Sequence, residues 1–160
     1  MIKIRAKSML SEDFKQYGNL LNTPGNVARL DNAAKLQNKR SHAKPNLLIA
    51  KAEPTLFPMT IKKMERHPES SQTFFPLDVK QYLILVCPNS HNDQPNIKKI
   101  DAFVVEGNQG INYLPGVWHY PITTLDKTGI FAALVWEDGT SLDTEWYNIA
   151  PSEQPTIFLD

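Results

Sequence analysis

Prolines and glycines recur along this chain at intervals too short for long helices. The 160 residues include twelve prolines and seven glycines, and both residue types interrupt regular helix. Between them lie apolar runs of strand length, at residues 46–54, 59–67, 72–77, 81–88, 100–107, 110–114, 119–125, 129–139 and 155–160. Many short strands separated by turn residues are typical of an antiparallel sandwich or barrel. We therefore expect a mostly β protein.

One segment near the start favours a short N-terminal helix. Within residues 11–18, Ser11 can cap the first turn and Gly18 can end the helix. Phe14 and Tyr17 would share one face of it.

A polar connection follows the helix and shows no strong hydrophobic period. It covers residues 22–46, and within it we expect one short strand around residues 27–30. No internal repeat divides the rest, and a chain of this length suffices for one core. We therefore treat residues 1–160 as a single domain.

The charge balance and the cysteine content argue against several classes of function. Seventeen Lys and Arg balance seventeen Asp and Glu, so no net field draws the chain to nucleic acid or to an anionic membrane. No apolar run approaches the roughly 20 residues that span a bilayer, and the N-terminal residues lack the apolar core of a signal peptide. The single cysteine, Cys87, lies in an apolar run where we expect a buried, unreactive thiol. These features point to the cytoplasm.

The stretch KKMERHPESSQTFFPL gathers a carboxylate, a guanidinium, an imidazole and an amide. In a strand, Lys63, Glu65 and His67 would share one face. A turn after His67 would bring Gln72 back to its side. Polar groups inside a barrel are costly unless they are paired, bind a metal or meet a ligand. The alternative is that these side chains cover the solvated face of a sheet.

A second cluster lies in the stretch GNQGINYLPGVWHYP. Pro115 and Gly116 favour a sharp turn, after which His119 opens the next strand. A lone histidine beside Trp118 is more often packed in a core than bound to a ligand. This cluster therefore indicates a binding site only when it is taken together with the first.

Together the two clusters resemble the paired motifs of the cupin superfamily, a double-stranded β-helical jelly roll that binds ligands inside its barrel. In this resemblance the metal-ligand positions of the first motif are Glu65, His67 and Gln72, and His119 follows the Pro-Gly turn of the second. Glu65 stands where a histidine is usual, and Gln72 stands where a carboxylate is usual. The resemblance implies a cupin-like jelly-roll barrel, to which the short N-terminal helix is added.

The altered pattern is similar to that of the ureidoglycolate lyase family. ERHPESSQTFFPL followed by GINYLPGVWHYPI resembles the family's Glu-Arg-His-Pro, Gln-x-Phe-x-Pro and Val-Trp-His signatures. Residues 27–42 depart from the family's Asn-x-Gly and arginine pattern, and Tyr120 stands where many relatives have a second histidine. The resemblance implies a carbon–nitrogen lyase that cleaves ureidoglycolate into glyoxylate and urea during allantoin and purine degradation.

That reaction needs a base for the substrate hydroxyl, a group that holds the carboxylate and an acid for the departing urea nitrogen. The resemblance therefore suggests catalytic roles for Glu65, His67 and His119. Either histidine can be the base, because an imidazole titrates near neutral pH. Glu65 would orient His67 or act as acid or base itself.

Four further side chains are expected to bind the substrate: Lys63, Gln72, Asn112 and Tyr113. Lys63 would face the carboxylate, and the two amides would bond the ureido group. Tyr113 or Trp118 would form the pocket wall, the alternative being core packing. Arg66 would point to the other side of its strand and pair with a carboxylate in the outer layer.

Two interpretations of metal use stay open. His67, Gln72 and His119 supply two strong ligands and one weak amide, and Glu65 would complete a two-histidine, one-carboxylate set that suits nickel, manganese or iron. In the other interpretation the same side chains act as acid and base without a metal.

Other functions fit the same residues. The chain can be a metal-dependent cupin acting on another small acid, a non-catalytic cupin that binds a small carboxylate, or a structural β domain with satisfied internal histidines. The family resemblance implies a homodimer, with ureidoglycolate as its small-molecule partner and with neither nucleic acid nor membrane as a partner.

Overall fold

The fold is built almost entirely from strands. The computed structural model describes residues 2–159. Its strands are β1 (Lys3–Arg5), β2 (Lys7–Ser8), β3 (Gly18–Leu21), β4 (Lys44–Ala52), β5 (Met59–Thr60), β6 (Lys63–Arg66), β7 (Gln72–Asp78), β8 (Gln81–Cys87), β9 (Asp101–Glu106), β10 (Gly110–Tyr113), β11 (Trp118–His119), β12 (Thr123–Thr124), β13 (Gly129–Glu137), β14 (Glu145–Asn148) and β15 (Thr156–Phe158). A short α-helix, α1 (Ser11–Phe14), and 3₁₀ turns at Ile97–Lys99 and Pro151–Glu153 accompany them. The prediction of a mostly β protein is confirmed.

Two sheets make up most of the molecule. The five-stranded sheet has the order β3-β10-β7-β13-β4, and the seven-stranded sheet has the order β14-β6-β11-β8-β9-β2, with β12 added beside β8. The chain passes repeatedly from one sheet to the other, since β6, β8, β11 and β14 lie in one and β7, β10 and β13 in the other. This alternation between two mainly antiparallel sheets is the arrangement of a jelly roll, as the cupin resemblance implied.

Side chains of both sheets form the apolar core between them. Tyr82 of β8 packs its ring edge-on against Phe131 of β13, with the ring centroids 5.2 Å apart. Phe74 of β7 packs against Phe131 in the same way. A second core lies on the other side of β8, where Leu83 and Leu85 meet residues of the small sheet β1-β15-β5. Strand β8 is therefore buried on both faces.

Helix α1 is shorter than the sequence predicted. It ends at Phe14, its N-cap is Leu10 rather than Ser11, and Gly18 opens β3 instead of closing the helix. The reason lies in packing, since a Cβ at position 18 would lie within 1.8 Å of the main-chain oxygen of Asn112. Glycine allows β3 to pair closely with β10.

The strand expected around residues 27–30 is wrong, because this part of the chain forms turns and bends. Val27 and Leu30 are exposed and have no facing strand to bury them. Residues 33–40, called the strap here, are instead held by hydrogen bonds to loops and strand ends. Gln37 exchanges main-chain and side-chain hydrogen bonds with Ser71 over 2.9–3.2 Å.

Several other boundaries differ from the expectation. The run 59–67 is divided into β5 and β6, which belong to different sheets, and the run 119–125 is divided into β11 and β12. Strands β1, β2, β3 and β14 were not predicted, because they have few apolar residues or lie in polar surroundings. Asp160, the end of the expected strand 155–160, lies outside the described residues. No helix among residues 2–159 is long and apolar enough to cross a membrane.

The inter-sheet core predicts the effect of a cavity. Phe131 is fully buried and contacts the rings of Phe74 and Tyr82. We expect Phe131→Ala to lower the free energy of unfolding by about 3–5 kcal/mol in urea denaturation. The control Leu56→Ala removes a side chain that is 92% exposed and should change it by less than about 0.5 kcal/mol. Equal effects of the two substitutions would contradict this account of the core.

Candidate active site

Strands of both sheets bring five polar side chains to one region. Glu65 of β6 and His119 of β11 are direct cross-strand partners, so their side chains share a face. Glu65 Oε1 lies 3.5 Å from His119 Nε2. Gln72 of β7 is likewise the direct partner of Tyr113 in β10. His67 follows the last residue of β6.

Three rings stack in a row at this place. The Tyr113 ring lies 4.3 Å from the His119 ring, with 12° between their planes. The His67 ring lies 5.6 Å from the other histidine, at 29°. His119 is therefore the middle ring, and it joins the five-stranded sheet to the end of β6.

Four buried polar atoms on these side chains have no hydrogen-bond partner. They are His67 Nε2, Gln72 Oε1, Tyr113 Oη and His119 Nε2. Among the described residues only three other buried side-chain atoms share this condition, and they belong to Arg40, Trp118 and Thr124. Buried polar atoms are nearly always hydrogen-bonded, because leaving one without a partner costs about 1–3 kcal/mol. Such a concentration of them in one place is what a binding site for a polar molecule requires.

Main-chain carbonyls fix the proton positions on both histidines. His67 Nδ1 lies 2.7 Å from the carbonyl oxygen of Asp143, and His119 Nδ1 lies 2.9 Å from that of Val117. A carbonyl oxygen can only accept a hydrogen bond, so each Nδ1 carries a hydrogen and donates it. In the neutral ring Nε2 then holds a free lone pair, and both Nε2 atoms are the unpartnered ones.

Burial and mutual charge set the ionisation of the cluster. Burial lowers the pKa of His67, and a charge on His119 would lower it further. Burial raises the pKa of Glu65, but the nearby His119, together with the charges of His67 and Lys63, outweighs burial, so that this pKa falls overall. Burial also raises the pKa of Tyr113 well above its usual value. At neutral pH the site therefore combines a carboxylate, a neutral His67 and a phenol that can donate.

Lys63 lies at the rim of this cluster. It shares a strand face with Glu65, and its charge contributes to the low pKa of that carboxyl. Its Nζ lies 4.2 Å from the centroid of the Trp146 ring, which is 48% exposed. The cation is thus within range of the site's charges but is turned toward solvent.

Asn112 is not brought together with the histidines. It precedes Tyr113 in β10, so the two side chains point to opposite faces. Its amide nitrogen donates to Asn19 Oδ1 and to the Lys35 carbonyl, and its oxygen accepts a hydrogen bond from Thr73. The expected contact between Asn112 and a ligand in the pocket is replaced by contacts to β3, β7 and the strap.

Arg66 points away from the site, as alternation predicted. Its guanidinium makes hydrogen bonds of 2.8 Å to both carboxylate oxygens of Asp93 and one to Glu145. It also stacks on the ring of Trp118, 4.5 Å from the centroid. Trp118 therefore packs in the outer core, which leaves Tyr113 as the wall of the site. Burial raises the pKa of the Cys87 thiol to about 12, as expected for an unreactive cysteine.

Known proteins are similar in sequence to this chain along nearly its whole length. The sequence model of the family described as ureidoglycolate lyase matches residues 1–153. The chain belongs to the ureidoglycolate lyase family.

Individual relatives give the extent of the similarity. The ureidoglycolate lyase of Pseudomonas savastanoi pv. phaseolicola is 34% identical over 170 aligned positions, which cover 100% of this chain and 96% of the relative. That of Schizosaccharomyces pombe is 38% identical over 62% of this chain and 53% of the relative. Among solved structures, the RmlC epimerase of Legionella pneumophila aligns with a TM-score of 0.45 and 9% identity, over 84% of this chain and 71% of that one.

The metal ligands suggested by the cupin resemblance do not form a metal-binding site in this member of the ureidoglycolate lyase family. Among residues 2–159, no group of three or more His, Cys, Asp or Glu side chains is placed to hold a metal ion. His67, Gln72 and His119 offer two imidazole nitrogens and one amide oxygen, and Glu65 faces His119 Nε2 directly. This donor set does not fit a bound metal as it stands.

The sequence did not point to the main-chain groups that orient the histidines. The Asp143 carbonyl comes from a turn 76 residues after His67, and Thr144 Oγ1 also lies 3.4 Å from His67 Nδ1. Main-chain acceptors carry no signature in the residue type, so only the fold of this lyase family member reveals them.

The lowered pKa of His67 predicts how stability depends on pH. As pH falls below about 6.5, the usual pKa of histidine, the unfolded chain binds a proton at His67 before the folded chain does. Stability is therefore present above that pH and is lost as pH falls toward the folded-state pKa. We expect the free energy of unfolding to fall between about pH 7.5 and about pH 5.5, and to fall less in His67→Gln.

Urea denaturation at several pH values measures this dependence. The exposed loop histidine His91 supplies the control, and His91→Gln should retain the slope of the parent protein. Identical slopes in the parent and in His67→Gln would show that His67 is not held neutral by burial.

Proposed function

We propose that this chain is a ureidoglycolate lyase, a carbon–nitrogen lyase that converts ureidoglycolate into glyoxylate and urea. The carrying observation is the group of four buried, unpartnered polar atoms on His67, Gln72, Tyr113 and His119. Membership of the ureidoglycolate lyase family supplies the substrate class.

The reaction is an elimination that needs no external nucleophile. The substrate carbon bears a hydroxyl, a carboxylate and the ureido nitrogen. A base removes the hydroxyl proton, the oxygen electrons form the carbonyl of glyoxylate, and the carbon–nitrogen bond breaks. The departing nitrogen takes a proton and leaves as urea. One base and one acid on either side of the substrate therefore suffice.

We assign the base to His67 and the acid to His119. His67 Nε2 holds a free lone pair because Nδ1 donates to the Asp143 carbonyl, and burial keeps the ring neutral at neutral pH. His119 Nε2 faces the Glu65 carboxylate at 3.5 Å, so the proton that an acid must supply would be delivered from beside a negative charge. Glu65 thus serves as the charge partner of His119.

Substrate binding falls to the remaining polar groups. The oxygen of Gln72 can accept from a ureido N–H, and the hydroxyl of Tyr113 can donate to a substrate oxygen. Lys63, at the rim, provides a cation for the carboxylate. Asn112 is assigned to the support of β10 rather than to the ureido group, because its amide is already bonded to the neighbouring strands and strap.

The cell location and the assembly complete the proposal. We propose that residues 1–160 act as one cupin-like domain in the cytoplasm and that two copies form a homodimer. The outer face of the five-stranded sheet supports pairing, because Ile49, Ala132 and Phe75 form a continuous row across β4, β13 and β7. Ile49 is 66% exposed and Phe75 is 45% exposed. Strand β4 is also a nine-residue sheet edge, open to a second copy.

Turnover is the decisive test of the activity. Purified protein should release glyoxylate and urea from ureidoglycolate, in equal amounts. His67→Ala and His119→Ala should each lower kcat by at least ~100-fold, because each removes a proton-transfer group. Parallel assays with a chelator and with added nickel, manganese or iron(II) test the metal interpretation. A folded parent protein that binds the substrate without turnover would instead be a non-catalytic carboxylate-binding cupin.

Tyr113→Phe separates binding from stability in the same assay. The substitution keeps the ring that stacks on His119 and removes only the unpartnered hydroxyl. We expect reduced kcat/KM, while the free energy of unfolding stays equal or rises by up to about 1 kcal/mol, since a buried unpaired group is lost. Full activity in Tyr113→Phe would remove this residue from the substrate site.

Light scattering tests the homodimer. The parent protein should have twice the mass of one chain, and Ile49→Glu should shift it to the monomer by placing a charge in the apolar row. Leu56→Glu, at a position that is 92% exposed, is the control and should stay dimeric. A monomeric parent at all concentrations would contradict the assembly.

A further inference from the structure

A buried arginine lies beside the site and takes no part in it directly. The side chain of Arg40 is 9% exposed. Its Nη1 lies 2.7 Å from Asp143 Oδ1 and 2.8 Å from Asp138 Oδ1, and its Nη2 donates to the Trp136 carbonyl at 2.9 Å. Arg40 therefore joins the strap to the end of β13 and to the turn that follows it.

The Asp143 side chain closes that turn on itself. Its carboxylate accepts hydrogen bonds from the main-chain N–H groups of Asp138 and Gly139, at 2.9 and 2.7 Å. Gly139 has a φ of +81°, which glycine adopts without strain. The turn 138–143 is thus organised around one carboxylate, and Arg40 supplies the opposing charge.

The main chain of the same residue touches the site. The Asp143 carbonyl accepts the Nδ1–H of His67 at 2.7 Å. A shift of this oxygen would leave Nδ1 with only the longer 3.4 Å contact to Thr144 Oγ1 among the described residues and would allow the hydrogen to move to Nε2. His67 would then present a donor where the reaction needs a lone pair.

The strap also supports the other side of His67. The Lys39 main-chain N–H donates to the Glu69 carbonyl at 2.9 Å, and Lys39 Nζ donates to the Pro68 carbonyl at 3.1 Å. Residues 39 and 40 therefore contact both the turn that follows His67 and the turn that carries its acceptor.

We propose that Arg40 is a positioning residue that holds His67 in the Nδ1–H tautomer by fixing the Asp143 carbonyl. This inference rests on the proposed function, in which His67 Nε2 is the base. Stability alone is a poor account of the cluster, because buried ion pairs seldom stabilise more than apolar packing does. In addition, Arg40 Nε is buried without a partner, which costs stability.

The test compares Arg40→Ala with Arg29→Ala. Arg29 lies in the same connection between the helix and β4, but its ion pair is with Asp31 and is exposed. Protein labelled with ¹⁵N-histidine reports the tautomer of each ring by NMR, and the His67 signals are those missing from His67→Ala. We expect Nδ1–H at His67 in the parent and in Arg29→Ala, and a mixture of both tautomers in Arg40→Ala.

The kinetic readout should agree with the tautomer. In Arg40→Ala we expect kcat to fall by ~10-fold or more, as misplacement of a catalytic group does, while KM changes by less than about 2-fold because the substrate contacts remain. Arg40→Lys should recover part of both properties, since an ammonium can reach the two carboxylates but not the Trp136 carbonyl at the same time.

Two results would overturn the inference. One is a parent-like tautomer and kcat in Arg40→Ala, and the other is a loss of thermal stability without a tautomer change. If Arg40→Ala does not fold, Arg40→Lys carries the test, and a fully parent-like tautomer and kcat in that variant would refute the role. The NMR measurement needs no substrate, so failure of the lyase activity and failure of the positioning role remain distinguishable.

Discussion

The stacking of Tyr113 on His119 joins the apolar core of this protein to its polar site. On one side the Tyr113 ring meets Phe14 and Phe74 edge-on, with centroids 6.0 and 6.4 Å away. On the other side it lies parallel to His119 at 4.3 Å. Side chains must fill the space between the facing sheets. At the Tyr113 ring these side chains change from apolar ones to ones that can exchange protons. Packing of the core thus sets the position of the site.

Main-chain carbonyls give the two histidines similar geometry, and their surroundings make them differ. Both rings donate Nδ1–H to a carbonyl and leave Nε2 unpartnered. Within residues 2–159, His119 alone of the two has a carboxylate near its Nε2, that of Glu65 at 3.5 Å. Two imidazoles in one cluster therefore need not act alike, since they share the same Nδ1 geometry but differ in the charge beside Nε2.

The local sequence pattern predicted most of the side chains of the candidate site, but few of the groups that hold them in position. Glu65, His67 and Gln72 lie within one short stretch, and the Pro-Gly turn indicated where His119 begins to face them, so motif spacing was sufficient. Alternation also assigned Arg66 correctly to the outer side. The same rule excludes Asn112 from the pocket once Tyr113 lines it, because neighbours in a strand cannot both face inward.

What the sequence could not supply depends on pairing between distant segments. Val27 and Leu30, which precede the strap, suggested a strand, but this part of the chain pairs with no strand of either sheet. The Asp143 carboxylate and the guanidinium of Arg40 are 103 residues from each other along the chain and meet only because β13 ends beside the strap. Neither composition nor periodicity carries information on such a meeting.

Because the site is enclosed, the side chains at its rim are those that can move at the lowest cost in free energy. His67, Tyr113 and His119 are each at most 7% exposed, so a substrate reaches their polar atoms only after side chains move. The Asp143 carboxylate resists movement because it accepts several hydrogen bonds, and the core rings resist it because they are buried among other rings. The Lys63–Trp146 contact is exposed, and such cation–π pairs contribute only about 0.5–1 kcal/mol. In the proposed lyase, releasing it would cost little and would also free the ammonium of Lys63 for the carboxylate of an entering anionic substrate.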